Sequence, residues 1–438
     1  MLGWEYPPEI TGGLGTACEG LTRALTRAGI DVLFVAPRTS ARSESEHLEL
    51  LGCDQVPIPR RRLRYRPRSA SPSPANESIE WLGVPSSLRP YQTARSYHQH
   101  LRELAEAKRN WPEPKVEAYW EESGPGSPHA FLGGYGPTLF LEVERYARAV
   151  CEIAARRDFD VIHAHDWMTF PAALRVAERT GKPLVCHVHA SEFDRRGAHA
   201  DPRVGAIERL ALAHADRVVA VSHYTADLVS RRYEIDPAKI AVVHNAIDPE
   251  RTRSSSSRKP VSGPLVLFLG RMTSQKGPAY FLEAASQVAA ARHDVHFAIC
   301  GDGDELAATI EGAARLGIAR RVSFTGALDR EHVARMYAMA DLYVMPSVSE
   351  PFGLTSLEAM AADVPVIVSR QSGAAEVLRQ SLKVDFWDTV DLANKILGVL
   401  RFPALYRQLV EEGREEVGQL RWETSAASVA GLYEELAA

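Results

Sequence analysis

The chain of 438 residues lacks most of the features that would place it outside the cytoplasm or in a membrane. It has five cysteines, Cys18, Cys53, Cys151, Cys186 and Cys300, scattered and never in CxxC pairs. An odd, dispersed set excludes a disulfide framework and points to reduced, mostly buried thiols in a cytoplasmic protein. No apolar run approaches the ~20 residues of a bilayer-spanning helix, so no stable membrane insertion is expected. The opening "MLGWEYPPEI" has no basic stretch followed by an apolar one, so no secretory signal is expected. Positive charge is not in excess: the net charge is -5, which argues against broad binding to nucleic acid or anionic lipid. The GxSxG nucleophile elbow, the HExxH zinc helix, the GxGxxG dinucleotide turn and the Walker GxxxxGK[ST] loop are all missing.

What is present is the composition of a globular enzyme, 45% hydrophobic and 24% charged, long enough for about two domains. From Thr138, compact apolar runs alternate with helical patterns: "DVIHAH", "LVCHVH", "RVVAVS" and "IAVVHN". After residue 263 the rhythm restarts with "PLVLFLG", "VHFAIC", "VSFTG", "DLYVMP" and "VPVIVS". Continuously apolar strands separated by helices imply parallel sheets covered on both faces. Two such series imply two doubly wound α/β domains, at 1–248 and 264–421. The polar stretch "PERTRSSSSRKPVSG" at 249–263 is expected to link them. The first series opens with "MLGW", read as a short first strand, then "TGGLG" and a helix, then the strand "IDVLFVAP". Residues of about 39–136 break the rhythm and are read as an insertion. Its arginine cluster, "PIPRRRLRYRPRSASPSPANES", is read as a solvated loop, with polyanion binding as the other reading.

Four stretches carry chemistry. In "SVSEPFGLTSLEAMA" a loop leaves a strand and a helix follows, so the amides of Gly353, Leu354 and Thr355 would face the sheet's carboxyl edge, ready for a phosphate. Glu350 in the loop would reach a polar ligand there. Glu358, one turn into the helix, is suited to accept from a vicinal diol, or else merely complements the helix dipole. In "LFLGRMTSQKGP", Arg271 and Lys276 follow a strand and suit a diphosphate, a guanidinium fork beside a flexible ammonium. The Gly12-Gly13 turn lets backbone approach a ligand closely. "HAHDW" and "HVHASEFDRRG" place His163, His165, His187 and His189 at strand ends. Residues i and i+2 share a strand face, so zinc ligation is geometrically open, but no further ligand is evident and no metal is assigned.

Together these features resemble the GT-B fold of retaining glycosyltransferases, and more narrowly glycosyltransferase family 4 in its branch similar to glycogen synthases. The resemblance covers nearly the whole chain apart from the insertion. It implies two Rossmann-like domains facing a central cleft, the first for the acceptor and the second for the nucleotide sugar. A last helix, 422–438, would cross back to the first domain. It implies that Arg271 and Lys276 hold the donor diphosphate, assisted by Gly12, Gly13, Leu354 and Thr355. Glu350 would bind hydroxyls of the donor sugar and Glu358 the ribose. His189 resembles the family's active-site histidine near the sugar 6-hydroxyl. Asp166 and Trp167 would line the acceptor side, and Gly326 and Leu328, in "FTGAL", the nucleobase. No cofactor is implied. A lysine that bacterial glycogen synthases carry two residues before the Gly-Gly turn is here Ile10, and Asp363 stands where a glycine is common.

The expected function is transfer of a hexose, glucose above all, from ADP-glucose or UDP-glucose to an α-glucan or oligosaccharide acceptor. The alternatives are a sucrose-, trehalose- or cell-surface-type acceptor, a sugar-nucleotide epimerase, and a non-catalytic sugar-nucleotide-binding protein.

Overall fold

In the computed structural model, residues 1–7, 12–39, 47–55, 139–249 and 259–437 are described. Ile10, most of the stretch read as an insertion and the middle of the 249–263 linker lie outside them.

The first series runs α1 (Gly13–Arg27), β1 (Leu33–Ala36), β2 (Glu49–Gly52), α2 (Leu139–Ala154), β3 (Ile162–His165), α3 (Phe170–Thr180), β4 (Leu184–Val188), α4 (Glu192–Arg196), α5 (Pro202–His214), β5 (Arg217–Ala220), α6 (His223–Tyr233) and β6 (Ile240–Val242). β1 pairs with β2, and β3 through β6 pair in order, all parallel. The strand expected at "MLGW" is reduced to one residue: Leu2 bridges Val35 on one side and Ala164 on the other. Its N–H donates to His163 O at 2.8 Å and its carbonyl accepts from His165 N at 2.9 Å, so it joins the two groups of strands. β2 lies inside the stretch read as an insertion and belongs instead to this sheet.

The second series runs β7 (Leu265–Leu269), α7 (Pro278–Ala291), β8 (His296–Cys300), α8 (Leu306–Arg315), β9 (Val322–Gly326), α9 (Arg330–Met339), β10 (Leu342–Met345), α10 (Leu354–Ala361), β11 (Val366–Ser369), α11 (Ala374–Val377), β12 (Leu382–Val384), α12 (Thr389–Arg401) and α13 (Pro403–Val417), followed by α14 (Trp422–Ala437). The strand order is β12-β11-β10-β7-β8-β9, all parallel. Strand addition therefore reverses between β7 and β10, the doubly wound order with its crevice at that reversal.

Burial on both faces explains the continuous apolar strands. In β7, Val266 and Phe268 enter one core with Phe281 and Ile396, while Leu265 and Leu267 enter another with Leu357 and Met360. Alternate residues feed opposite layers, as the pleat requires. β3, β4, β10 and β11 are buried at every position.

α14 packs back on α1. Trp422 lies over Gly20, where an added Cβ would meet its ring at 2.2 Å. Ser425 Oγ donates to His244 O at 2.6 Å. Among the described residues no helix is long and apolar enough to cross a membrane. All five cysteines are free and buried. A branched side chain at position 20 must displace the indole. Gly20→Val should lower the urea midpoint by the equivalent of about 1–3 kcal/mol, the usual range for overpacking. An unchanged midpoint would mean that the α1–α14 contact yields freely.

Candidate active site

The carboxyl edge of the second sheet assembles the cations and glutamates. β7 ends beside Gly270, and Arg271 to Lys276 form the turn before α7. Gly277, at φ 72°, closes that turn, and a Cβ there would meet Pro346 O at 2.1 Å. The loop after β10 carries Glu350, whose N–H donates to Gln371 O and whose carbonyl accepts from Gly373 N, both at 2.9 Å. The loop is thus strapped to the one after β11. Lys276 Nζ donates to Glu350 Oε2 at 2.5 Å, and Ser347 Oγ donates to the same oxygen at 3.1 Å. An ammonium has three donors, so this pairing leaves Lys276 two for a further oxygen.

Gly353, at φ 104°, begins α10, and a Cβ there would meet Met345 Cε at 2.8 Å. The first amides of α10, at Leu354 and Thr355, lack intrahelical acceptors and carry the positive end of the helix dipole. Tyr343 Oη holds Thr355 Oγ1 at 2.8 Å. Glu358 accepts from Tyr337 Oη at 3.1 Å. Burial pushes the Glu358 carboxyl up, with Tyr337 and Arg330 opposing. Glu358 opens onto a cavity of about 260 Å³, with Thr16, Gly20 and Arg23 of α1 on another wall. Gly326, at φ 70°, ends β9 on the same carboxyl edge, and Leu328 follows it, packed against the Leu267 core.

The first sheet supplies the opposite wall. Gly12 caps α1, and a Cβ there would meet Glu5 Oε2 at 2.5 Å; one on Gly13 would meet nothing within 4 Å. A side chain at position 12 would push aside the end of the chain's own Glu5, while position 13 leaves open space above the helix terminus.

β3 and β4 place the four histidines in two cross-strand pairs. His163 Nε2 and His187 Nδ1 are 3.1 Å apart, and His165 Nδ1 and His189 Nε2 are 2.9 Å apart. His163 Nδ1 lies 2.6 Å from Tyr433 Oη of α14. Along each strand the rings stack, with centroids 4.6 Å apart for His163 and His165 and 4.2 Å for His187 and His189. Two triads, His163–His165–His187 and Cys18–His165–His189, are close enough to share an ion. In the first triad, however, the stacked His163 and His165 rings hold their lone pairs in nearly parallel planes rather than aimed at one tetrahedral centre. In the second the His165 and His189 nitrogens already face each other at 2.9 Å. The geometry favours paired hydrogen bonding over ligation. Burial keeps all four imidazoles neutral, with His189 lowered to about 3.

Two expectations for the acceptor wall do not fit. Asp166 is buried, and its Oδ1 accepts from His189 N at 2.7 Å and Ala190 N at 3.2 Å. Its Oδ2 accepts from Arg195 Nη2 at 3.3 Å. The carboxylate is spent on holding the β3 and β4 ends together. Its φ of 60° is a left-handed conformation that aspartate tolerates better than most residues. Trp167 is 5% exposed and packs against Phe140, so it offers no open face to a sugar.

Sequence reasoning missed the link between the two walls. Ser349 Oγ donates to Asp194 Oδ1 at 2.6 Å and lies 2.9 Å from Tyr224 Oη. Glu376 accepts from His223 N at 2.9 Å and Tyr224 N at 2.5 Å, so α11 caps α6 across the cleft. The capping box of α4, Ser191 with Asp194, is visible in "SEFD", but its second role is not.

Two facing α/β units with cations and a helix terminus at the reversal of one sheet define the class, a GT-B glycosyltransferase. Comparison with known families agrees. Residues 250–416 match glycosyl transferases group 1, residues 94–251 match Glycosyltransferase Family 4, and residues 1–64 match the starch synthase catalytic domain. The chain is 31% identical to D-inositol 3-phosphate glycosyltransferase 2 of Catenulispora acidiphila, over 63% of this chain and 70% of that one. It is 25% identical to the glycogen synthase of Mycobacterium tuberculosis, over 99% of this chain and 93% of that one. Among solved structures, sucrose-phosphate synthase of Thermosynechococcus elongatus superposes with a TM-score of 0.69 at 22% identity, covering 97% of this chain and 94% of that one. Anabaena HepE, in complex with UDP and glucose, superposes at 0.56 and 19% identity, over 69% and 82%. The chain belongs to the group 1, family 4 glycosyltransferases, and resembles glycogen synthases within them.

The neutral histidines make a prediction about acid. Each has a folded pKa below the ordinary 6.5, so below that pH the unfolded chain binds more protons and stability falls with pH. The loss starts near pH 6.5 and for His189 continues to about 3. Each such group contributes up to about 1.4 kcal/mol per pH unit. Glu208, raised by burial to about 8, works the other way, as do Asp166, Asp194 and Glu358, whose carboxyls burial also raises. The urea midpoint should therefore drop clearly between pH 7 and pH 5. A flat or rising midpoint would mean that the buried carboxyls outweigh the four imidazoles.

Proposed function

We propose that the chain is a retaining hexosyltransferase of the cytoplasm. It moves glucose from a nucleoside diphosphate glucose, with ADP or UDP as the nucleotide, to an α-glucan or oligosaccharide. The observation that carries this reading is the convergence of Arg271, Lys276 and the N-terminus of α10 on the crevice between β7 and β10. Glu350 is paired there with Lys276. Two cations and a helix terminus suit a diphosphate whose negative charge grows as it departs.

In this reading Arg271 and Lys276 stabilise the leaving diphosphate, with the amides of Gly12, Gly13, Leu354 and Thr355 assisting. Glu350 accepts from hydroxyls of the donor sugar. Glu358, held by Tyr337, accepts from the ribose diol, and Gly326 and Leu328 flank the base. His189 faces the sugar from the other wall as a neutral group. Attack comes from the face the nucleotide leaves, and a departing phosphate oxygen takes the acceptor's proton. The protein cations do the work that a metal does elsewhere, so no metal or cofactor enters. Similarity to glycogen synthase over almost the full length supports the glucan acceptor.

A second acceptor class has its own support. The chain is similar to D-inositol 3-phosphate glycosyltransferases, and Trp167, the indole expected on the acceptor side as a surface for a glucan to stack on, is buried. A smaller acceptor, perhydroxylated or phosphorylated, would not need that stacking surface.

Release of nucleoside diphosphate from ADP-, UDP- and GDP-sugars, with and without maltooligosaccharides, tests both. Maltooligosaccharide extended with retained α configuration supports the first reading. Turnover only with a sugar or cyclitol phosphate selects the second, and turnover of GDP-mannose alone overturns both. Arg271→Ala should lower turnover about a hundredfold or more in a folded protein, the scale for losing one preorganised donor to transition-state charge. Near-normal turnover would remove Arg271 from the site.

A further inference from the structure

The histidine quartet contains two ring nitrogens that decide where the protons sit. Nε2 of His165 and Nε2 of His187 are both buried without a hydrogen-bond partner among the described residues. His165 is 0% exposed and His187 1%. A neutral imidazole carries one N–H and one bare nitrogen. Orphaned buried N–H groups are rarer than under-satisfied acceptors, so the unpartnered nitrogen is the bare one. The proton of each ring then lies on Nδ1.

The rest of the network follows. His187 Nδ1–H donates to His163 Nε2, 3.1 Å away. That leaves His163 protonated at Nδ1, which donates to Tyr433 Oη at 2.6 Å. His165 Nδ1–H donates to His189 Nε2 at 2.9 Å. His189 is then protonated at Nδ1. Of the four rings His189 is the one that is not fully buried, and its Nδ1 has no acceptor among the described residues. One rule applied to two orphaned nitrogens gives every bond in both pairs one donor and one acceptor.

We propose that His165 is a positioning residue that fixes His189 as the Nδ1–H tautomer and so presents a hydrogen-bond donor to the sugar. The proposal rests on the reading of His189 as a group that faces the donor sugar. The alternative tautomer would present a bare nitrogen, which can accept from a hydroxyl but cannot donate to an oxygen of the sugar. Burial keeps the His165 and His189 rings neutral, so the assignment holds throughout the working pH range. The backbone contributes too: Asp166 accepts from His189 N, which fixes where the ring starts. The ring's position and its proton are thus set by consecutive residues, 166 and 165.

Two substitutions separate this role from packing. His165→Phe fills the space without a donor. His165→Asn keeps an N–H near the position of Nδ1. In steady-state assays with nucleoside diphosphate glucose, His165→Phe should lower kcat on the order of ten- to a hundredfold while KM changes little. His165→Asn should recover most of that loss. Nitrogen-15 spectra of ring-labelled wild-type protein, with the His189 signals assigned by their loss in His189→Ala, should show Nδ1 protonated and Nε2 bare. A His189 ring protonated at Nε2 would overturn the proposal, as would a folded His165→Phe variant that turns over like wild type. If His189→Ala itself turns over normally, the reading of His189 fails instead. The spectrum tests the tautomer on its own, and it also does so if His165→Phe does not fold.

Discussion

Each sheet reverses its direction of strand addition at one place, beside β7 in the second unit and beside Leu2 in the first. At such a reversal the two neighbouring crossovers go to opposite faces, and the carboxyl edge between them is left uncovered. Everything with chemical character gathers there. Arg271 and Lys276 leave β7, Glu350 and α10 leave β10, the Gly12-Gly13 turn follows Leu2, and Asp166 ends β3. The loops of the two edges then touch through Ser349 and Asp194 and through Glu376 and the start of α6. The cleft is a consequence of topology before it is one of side chains.

The buried charges of the first wall show how that edge is held. Asp166, Asp194, Glu192, Glu208 and Arg195 are within one cluster, and burial raises Asp166, Asp194 and Glu208. Such groups cost stability unless every oxygen is met. Here Asp166 is met by two amides and a guanidinium, Asp194 by Ser191 and Ser349, and Glu208 by Glu192 N and Tyr233. Loss of one partner would strand a charge. That gives the turn carrying His189 a single geometry.

The parallel sheets were legible because burial on both faces excludes charged side chains, and β3, β4, β10 and β11 carry none and are buried throughout. β12 was not, since three residues with a central lysine at a sheet edge make no pattern. The first strand shrank to Leu2 because one residue bonded on both sides suffices to join its neighbours. Arg271, Lys276, Glu350 and Glu358 stood out because each lies just past a recognisable strand. The tyrosines that orient Thr355 and Glu358 come from other elements and carry no local signal. Trp167 misled for a backbone reason: the left-handed Asp166 before it turns the chain, and the indole falls back into the core.

In the reading proposed for His189, a neutral ring beside the reacting sugar is coherent with Arg271 and Lys276 on the other wall. Arg195, on the histidine's own wall, is held among carboxylates. When the bond to the diphosphate breaks, negative charge grows on phosphate oxygens and positive charge on the sugar ring. Arg271 and Lys276 would answer the first. A protonated His189 on the opposite side would oppose the second: two unit charges 4 Å apart interact by about 4 kcal/mol at the effective dielectric of such a site. Burial removes that penalty by holding the ring uncharged. Neutrality alone leaves two tautomers, only one of which can donate to an oxygen of the sugar. Beneath this partly buried ring the chain places a second, fully buried imidazole, and a partner with one unsatisfied nitrogen settles which tautomer stands.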